Sequence, residues 1–305
     1  MYEEGQGPID NLVHLYVDGA FNRRELIRRV AAYTGSVAAA LTALGGYSEA
    51  IAQEPQGCPA GIRVPADAPD LIAEDVQFPS EFGAMFGHLA YPRAAEPKSL
   101  PGVIVIHENR GLVDHHKDVT RRMARAGFVA FGVDLLSRQG GTSRFPEPTQ
   151  QTAAYGRTTV EERRADLISS FDFLKSYVAE PARIGSVGFC AGGGNVWELM
   201  VNAQQFAAGV AYYGNPVPTN EQLEAINAPV LGIYAELDRN LTLRTPAIIS
   251  GMLNLQKTFG FHIYQGARHA FLNDTGGAYD AAAACDAWAR TIAWFNKFLR
   301  PPATA

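Results

Sequence analysis

The sequence predicts an α/β fold: a mostly parallel central sheet with helices on both faces and an N-terminal helical extension. Three observations carry this. From residue 71 onward, short apolar runs alternate with amphipathic stretches of helical length. The runs Val103–Ile106 and Phe128–Val133 have no polar alternation, as expected of strands covered on both faces. The run Ile184–Phe189 enters the glycine cluster Gly192-Gly193-Gly194, the mark of a strand that turns sharply into a helix.

Bulk composition narrows the function classes. With 305 residues and 47 % hydrophobic content, the chain can form one large α/β domain or two small ones. Twenty-six basic residues against 31 acidic give a net charge of -5, and no basic stripe appears, which argues against a nucleic-acid partner. A small, neutral or weakly charged substrate fits better. Cys58, Cys190 and Cys285 are odd in number and lie at no zinc-like spacing. This argues against a disulfide framework and a CxxC site, and predicts at least one free thiol.

Residues 1–70 read as an N-terminal helical arm and linker. Asn22-Arg23-Arg24-Glu25-Leu26-Ile27-Arg28 precedes an alanine-rich stretch from Val30 to Leu44, then Ala50-Ile51-Ala52. One reading is a retained helical arm of a cytoplasmic protein, available for oligomer contacts. The other is a twin-arginine export signal with an A-x-A cleavage site. The stretch is too short and too polar for a stable membrane span. Gln53 to Pro69, with four prolines, reads as a linker.

Residues 71–305 read as the catalytic domain. Leu71–Phe78 and Ala84–Tyr91 form an antiparallel hairpin, followed by the strand Val103–Ile106, a helix over Val113–Ala126 and the strand Phe128–Val133. The polar, glycine- and proline-rich segment from Ser137 to about Gln151 is the natural loop over a pocket. A helix over Val160–Val178, the strand Ile184–Phe189 and a helix over Gly193–Asn202 come next. Strands at Ala207–Tyr213, Val230–Tyr234 and Phe259–Tyr264 follow, with helices near Glu221–Ile226 and Thr245–Leu255 between them. A helix over Tyr279–Phe298 closes the chain.

Gly188-Phe189-Cys190-Ala191-Gly192 has the G-x-nucleophile-x-G pattern of a nucleophile elbow, with cysteine in place of serine. So tight a turn needs small residues two positions before and two after the nucleophile. A buried, inert cysteine in a glycine-rich turn is the competing reading. A thiol acts as a nucleophile only as thiolate, so it needs a base and a carboxylate to orient that base. The α/β-hydrolase order places an acid and then a histidine at later strand ends. Asp238 and His269 fall there, with Glu236 as the competing acid; His262 lies inside a strand and reads as structural. His107-Glu108-Asn109-Arg110-Gly111 at the end of a buried strand is costly unless it serves a site or a network. A metal site from His107, Glu108, His115 and His116 matches no familiar spacing, and the last two read as solvent-facing at a helix start. No metal and no cofactor are expected. The amide of Ala191 is the expected first oxyanion donor, and the loop after Val103–Ile106 supplies the second.

In this order, His107-Glu108-Asn109-Arg110-Gly111, Gly188-Phe189-Cys190-Ala191-Gly192-Gly193, Asp238 and His269 resemble the dienelactone hydrolase (carboxymethylenebutenolidase) family over roughly Leu71 to Leu299. The resemblance implies an α/β-hydrolase fold with Cys190 as nucleophile, His269 as base and Asp238 as its orienting acid. It further implies that Glu108 contacts the resting thiol, and that the amides of Ala191 and Asn109 form the oxyanion hole. The implied activity is hydrolysis of a carboxylic ester or lactone through a thioester. A thioesterase or acyltransferase with the same triad, and a non-catalytic binding relative, are the alternatives. Four positions after the histidine the family carries a carboxylate-binding arginine; here that position is Asn273. A less charged substrate is therefore expected, with Arg144, Tyr155, Arg157, Tyr213, Phe271 and Asn273 as candidate substrate-binding residues.

Overall fold

A computed structural model describes residues 23–44, 63–180 and 183–300, together with Ile9 and Leu12. The chain divides into two compact units, Met1–Ala60 and Gly61–Ala305. In the first, helices α1 (Arg23–Thr34) and α2 (Val37–Leu44) are joined at Gly35, whose φ of 86° lies in the left-handed region that glycine adopts freely. The Ser36 hydroxyl accepts the Ala39 amide at 3.1 Å and so caps α2. Leu26, Val30, Ala40 and Leu44 form a small apolar cluster of their own, with Ile9 and Leu12 against it. Ala50-Ile51-Ala52, Cys58 and most of the expected linker lie outside the described residues.

The second unit holds one eight-stranded sheet. Its strands are β1 (Leu71–Ser80), β2 (Gly83–Pro92), β3 (Gly102–Ile106), β4 (Val129–Val133), β5 (Ile184–Phe189), β6 (Ala208–Tyr212), β7 (Val230–Ala235) and β8 (Phe259–Tyr264). Their spatial order is β1-β2-β4-β3-β5-β6-β7-β8. The β1–β2 hairpin pairs antiparallel with β4, and every later pairing is parallel. The helices are α3 (Asp114–Arg125), α4 (Pro148–Gly156), α5 (Val160–Lys175), α6 (Ala191–Asn202), α7 (Asn220–Leu223), α8 (Arg239–Thr242), α9 (Thr245–Asn254) and α10 (Ala281–Leu299). This is the α/β-hydrolase architecture expected from the sequence.

Strand β3 shows why the chain layers in this way. All five of its residues are buried, and alternate side chains serve opposite faces. Val103 and Val105 pack with Val119 and Met123 of α3 and with Phe295 and Leu299 of α10. Ile104 and Ile106 pack with Leu167 and Phe171 of α5 and Trp197 of α6. Burying each such aliphatic side chain contributes about 1.5–3 kcal/mol. Because β3, β5, β7 and β8 run parallel, their carboxyl ends, and the residues that follow them, emerge along one edge of the sheet.

The segment expected to be an irregular loop is more ordered than its composition suggests. It contains 3-10 turns at Ser137–Gln139 and Thr142–Arg144, then α4. Pro148 sits in the first turn of α4, and Glu147 and Gln150 close a capping box. The segment does line a cavity of about 460 Å³, through Gly141, Thr142, Phe145 and Gln151, with Phe86 and Leu112 opposite.

Candidate active site

Cys190 sits between β5 and α6 with φ 55° and ψ -115°, a backbone conformation that non-glycine residues rarely adopt. The surrounding backbone holds it there. Its N–H donates to Tyr212 O at 3.1 Å, and its carbonyl accepts the Gly194 amide at 3.1 Å. The two flanking glycines are required for contact reasons. A Cβ on Gly188 would lie 2.1 Å from Gly192 O, and one on Gly192 would lie 2.3 Å from Ile106 O and 2.5 Å from His107 O. The end of β3 therefore rests directly on the elbow. Cys190 is half-buried and is the free cysteine among the described residues. Cys285 is disulfide-bonded, against the expectation drawn from the cysteine count, since parity constrains the total and not which thiols meet.

Asp238 stands at the residue before α8, just beyond β7, and His269 follows β8. The His269 Nδ1–H donates to Asp238 Oδ2 in a short hydrogen bond, leaving Nε2 for the Cys190 thiol, its other side-chain partner. Burial alone would lower the His269 pKa. The bonds to Cys190 and Asp238 outweigh it and raise the imidazole to about 9. Glu236 is occupied elsewhere, its Oε2 accepting the Gly266 amide at 2.8 Å. His262 lies on β8 with its ring 4.3 Å from that of Tyr264, and burial lowers it to about 4.

Glu108 is buried directly after β3, and burial raises its carboxyl above the usual range, against the opposing effects of Asn273, Arg110 and His269. Its main chain is gripped from both sides. The Glu108 N–H donates to His116 Nε2 at 3.2 Å, and its carbonyl accepts from His107 Nδ1. Its Oε2 accepts from Asn273 Nδ2 at 3.3 Å. The expectation that His115 and His116 face solvent is overturned: they are 4 % and 1 % exposed. His115 Nδ1 lies 3.3 Å from Asp274 Oδ1, and Arg122 joins Asp274 to Asp118. Nε2 of both His107 and His116 accepts a backbone amide, so these lone pairs are committed to the fold.

The remaining candidates divide into two groups. Tyr213 is fully buried with φ 36°, its ring 4.8 Å from that of His269; burial, then Glu108 and Cys190, push its phenol well up. Tyr155 is buried beside Asn195, whose Nδ2 donates to its hydroxyl at 3.0 Å, and burial raises its phenol. Phe271 is fully buried against Tyr213, and Asn273 is held on Glu108. Arg144 and Arg157 are exposed; Arg157 bonds Gln139 at 2.9 Å, and Arg144 covers Gly140. Sequence reasoning gave no role to Asn195, to Arg163 of α5, which donates to Asn195 Oδ1 at 3.2 Å and lies over the Tyr155 ring, or to Asp274, and it placed His116 at the surface.

The profile of the Dienelactone hydrolase family matches residues 86–299. A candidate carboxymethylenebutenolidase from Methylorubrum extorquens is 33 % identical over 248 residues, covering 77 % of this chain and 84 % of that protein. The crystal structure of a candidate dienelactone hydrolase from Klebsiella pneumoniae is 28 % identical with a TM-score of 0.69, covering 75 % of this chain and 99 % of that one. The dienelactone hydrolase from Anabaena variabilis, 19 % identical with a TM-score of 0.58, covers 76 % of this chain and 100 % of that one and shares the fold.

Proposed function

Since this chain belongs to the dienelactone hydrolase family, we propose that it hydrolyses carboxylic esters or lactones with Cys190 as nucleophile, through a thioester acyl-enzyme. The observation that carries the reading is the connected series Asp238, His269, Cys190, with the cysteine on a strained elbow. An inert core thiol has no need of a positive φ or of a histidine that is itself bonded to a carboxylate.

In the proposed reaction His269 holds the proton that Cys190 gives up, and the imidazolium is stabilised by Asp238. The buried Glu108 carboxyl, which holds a proton readily, assists thiolate formation as substrate enters. The thiolate attacks the carbonyl carbon, and the electron pair moves onto oxygen, facing the amides of Ala191 and Asn109. Collapse expels the alkoxide, which takes the proton from His269 and leaves a thioester. Neutral His269 then deprotonates a water that attacks the thioester, releasing the acid and regenerating Cys190.

Asn273 is neutral where the family carries arginine, so a neutral or weakly charged ester or lactone is the preferred substrate. Tyr155, Tyr213 and Phe271 supply apolar walls, with Arg144 and Arg157 at the outer rim. Catalysis belongs to residues 71–305. The arm over 1–70 is the surface proposed for oligomer contacts in a cytoplasmic protein. Among the described residues no helix is long and apolar enough to cross a membrane. The test is a panel of p-nitrophenyl esters and simple lactones run on the parent and Cys190→Ala. The parent should show a burst and label with iodoacetamide at Cys190. Equal turnover by Cys190→Ala would sink the reading.

A further inference from the structure

We propose that His107 is the positioning residue of the oxyanion hole, aiming the Asn109 amide by holding the opposite end of the same peptide unit. The inference rests on the acyl-transfer reading above and extends it to a residue that touches neither substrate nor thiol.

His107 is fully buried, and both ring nitrogens are engaged with main chain. Its Nε2 lies 3.0 Å from the Leu135 nitrogen, whose N–H donates to it. An accepting Nε2 places the ring proton on Nδ1, and Nδ1 meets the carbonyl oxygen of Glu108. The ring thus bridges the end of β4 to the first turn of chain after β3, as a neutral imidazole with one tautomer imposed by its neighbours. Burial also lowers its pKa, in keeping with a neutral ring.

The peptide bond is planar and trans, so the carbonyl of Glu108 and the N–H of Asn109 point in opposite directions. Fixing one fixes the other. Among the described residues neither the Asn109 N–H nor the Ala191 N–H donates to another protein group, and both belong to segments that meet at the Gly192 contact. Two unpartnered backbone donors beside a strained nucleophile suit a developing oxyanion. The Ala191 donor is set by the elbow and the first turn of α6. The Asn109 donor lies in an irregular segment and depends on what grips its peptide. His116 holds the preceding peptide through the Glu108 N–H, so His107 alone controls the plane that carries the second donor.

The two functions of the ring can be separated. In His107→Asn the side-chain Nδ2 overlies Nδ1 and keeps the donor to Glu108 O, without reaching Leu135. In His107→Gln the side-chain Oε1 overlies Nε2 and keeps the acceptor for Leu135, without a donor to Glu108 O. The expected result is that His107→Gln loses on the order of 100-fold in kcat on a p-nitrophenyl ester with little change in KM, as for loss of one oxyanion donor. His107→Asn keeps most of the parent kcat. Iodoacetamide alkylation of Cys190 develops no oxyanion, so its rate should match the parent in both variants. Equal turnover in the two variants, or a loss of alkylation parallel to the loss of turnover, overturns the assignment in favour of a purely structural histidine. A parent that neither bursts nor alkylates overturns the thioester reading instead, and this inference with it.

Discussion

Asn273 and Glu108, 165 residues apart in the chain, meet at 3.3 Å, with Asn273 Nδ2 donating to Glu108 Oε2. The amide is held in that orientation because its Oδ1 accepts both the backbone N–H and the hydroxyl of Thr275, at 3.0 and 2.6 Å. A neutral donor therefore faces a buried carboxyl whose ionised form burial opposes.

Replacing Asn273 with Ala should make Glu108 harder to ionise. The donor is the largest influence lowering that carboxyl against burial, so its removal moves the group further up. The acidic limb of kcat/KM for a neutral ester should shift to higher pH. Activity on that limb should fall roughly tenfold, the equivalent of one hydrogen bond to a charged group. An unmoved limb in a pH–rate profile counts against a role for Glu108 in forming the thiolate.

The raised His269 pKa makes a signed prediction about stability. The folded value is about 9 against an ordinary 6.5, so the native state binds the proton more tightly than the unfolded chain. The stabilisation is complete below about pH 6.5 and is lost as pH rises through about 9. Thermal midpoints of the parent and His269→Ala, measured across that window, should converge on the alkaline side. A gap that widens with pH would contradict the ion-paired histidine.

Gly192→Ala should destabilise the protein by about 3 kcal/mol or more, since the added methyl meets backbone and cannot be relieved by a rotamer change. The same substitution at Gly156, where a Cβ meets nothing within 4 Å, should be neutral or slightly stabilising. Urea midpoints of the two variants check this contrast.

Arg122 and Arg63 both contact Asp274, but in different surroundings. The Arg122 side chain is 4 % exposed and ties Asp274 to Asp118, whereas that of Arg63 is 58 % exposed. Arg122→Ala strands two largely buried carboxylates and should cost about 3–5 kcal/mol. Arg63→Ala should cost less than about 1 kcal/mol. Equal losses in chemical denaturation would show that burial does not govern this cluster.

The strands were legible because continuous apolar runs such as Val103–Ile106 leave no alternative to burial on both faces. The elbow was legible because steric demand on both sides of Cys190 writes itself as glycine. The positions of Asp238 and His269 beyond the ends of β7 and β8 were legible from chain order. What stayed hidden was set by distant partners. A helix start reading Asp114-His115-His116-Lys117 looks solvated in any local window. Its histidines are buried only because other segments close over them, such as the one around Asp274, more than 150 residues away. Helix α4 has too few apolar residues for periodicity to show, and its evidence lies in the capping box around Glu147 and Gln150. Helix α8, four residues long, is too short to show a period at all.

The contact of Gly192 with the end of β3 also bears on how such a molecule can change its diet. The nucleophile and the proposed Ala191 donor are set by main chain pressed against main chain at Gly188 and Gly192. Reactivity is thus inherited with the scaffold, while Ser143, Phe145, Pro146 and Gln151 line a separate hollow that holds none of the proposed catalytic residues. Randomising those four positions should yield descendants that agree in how they cut.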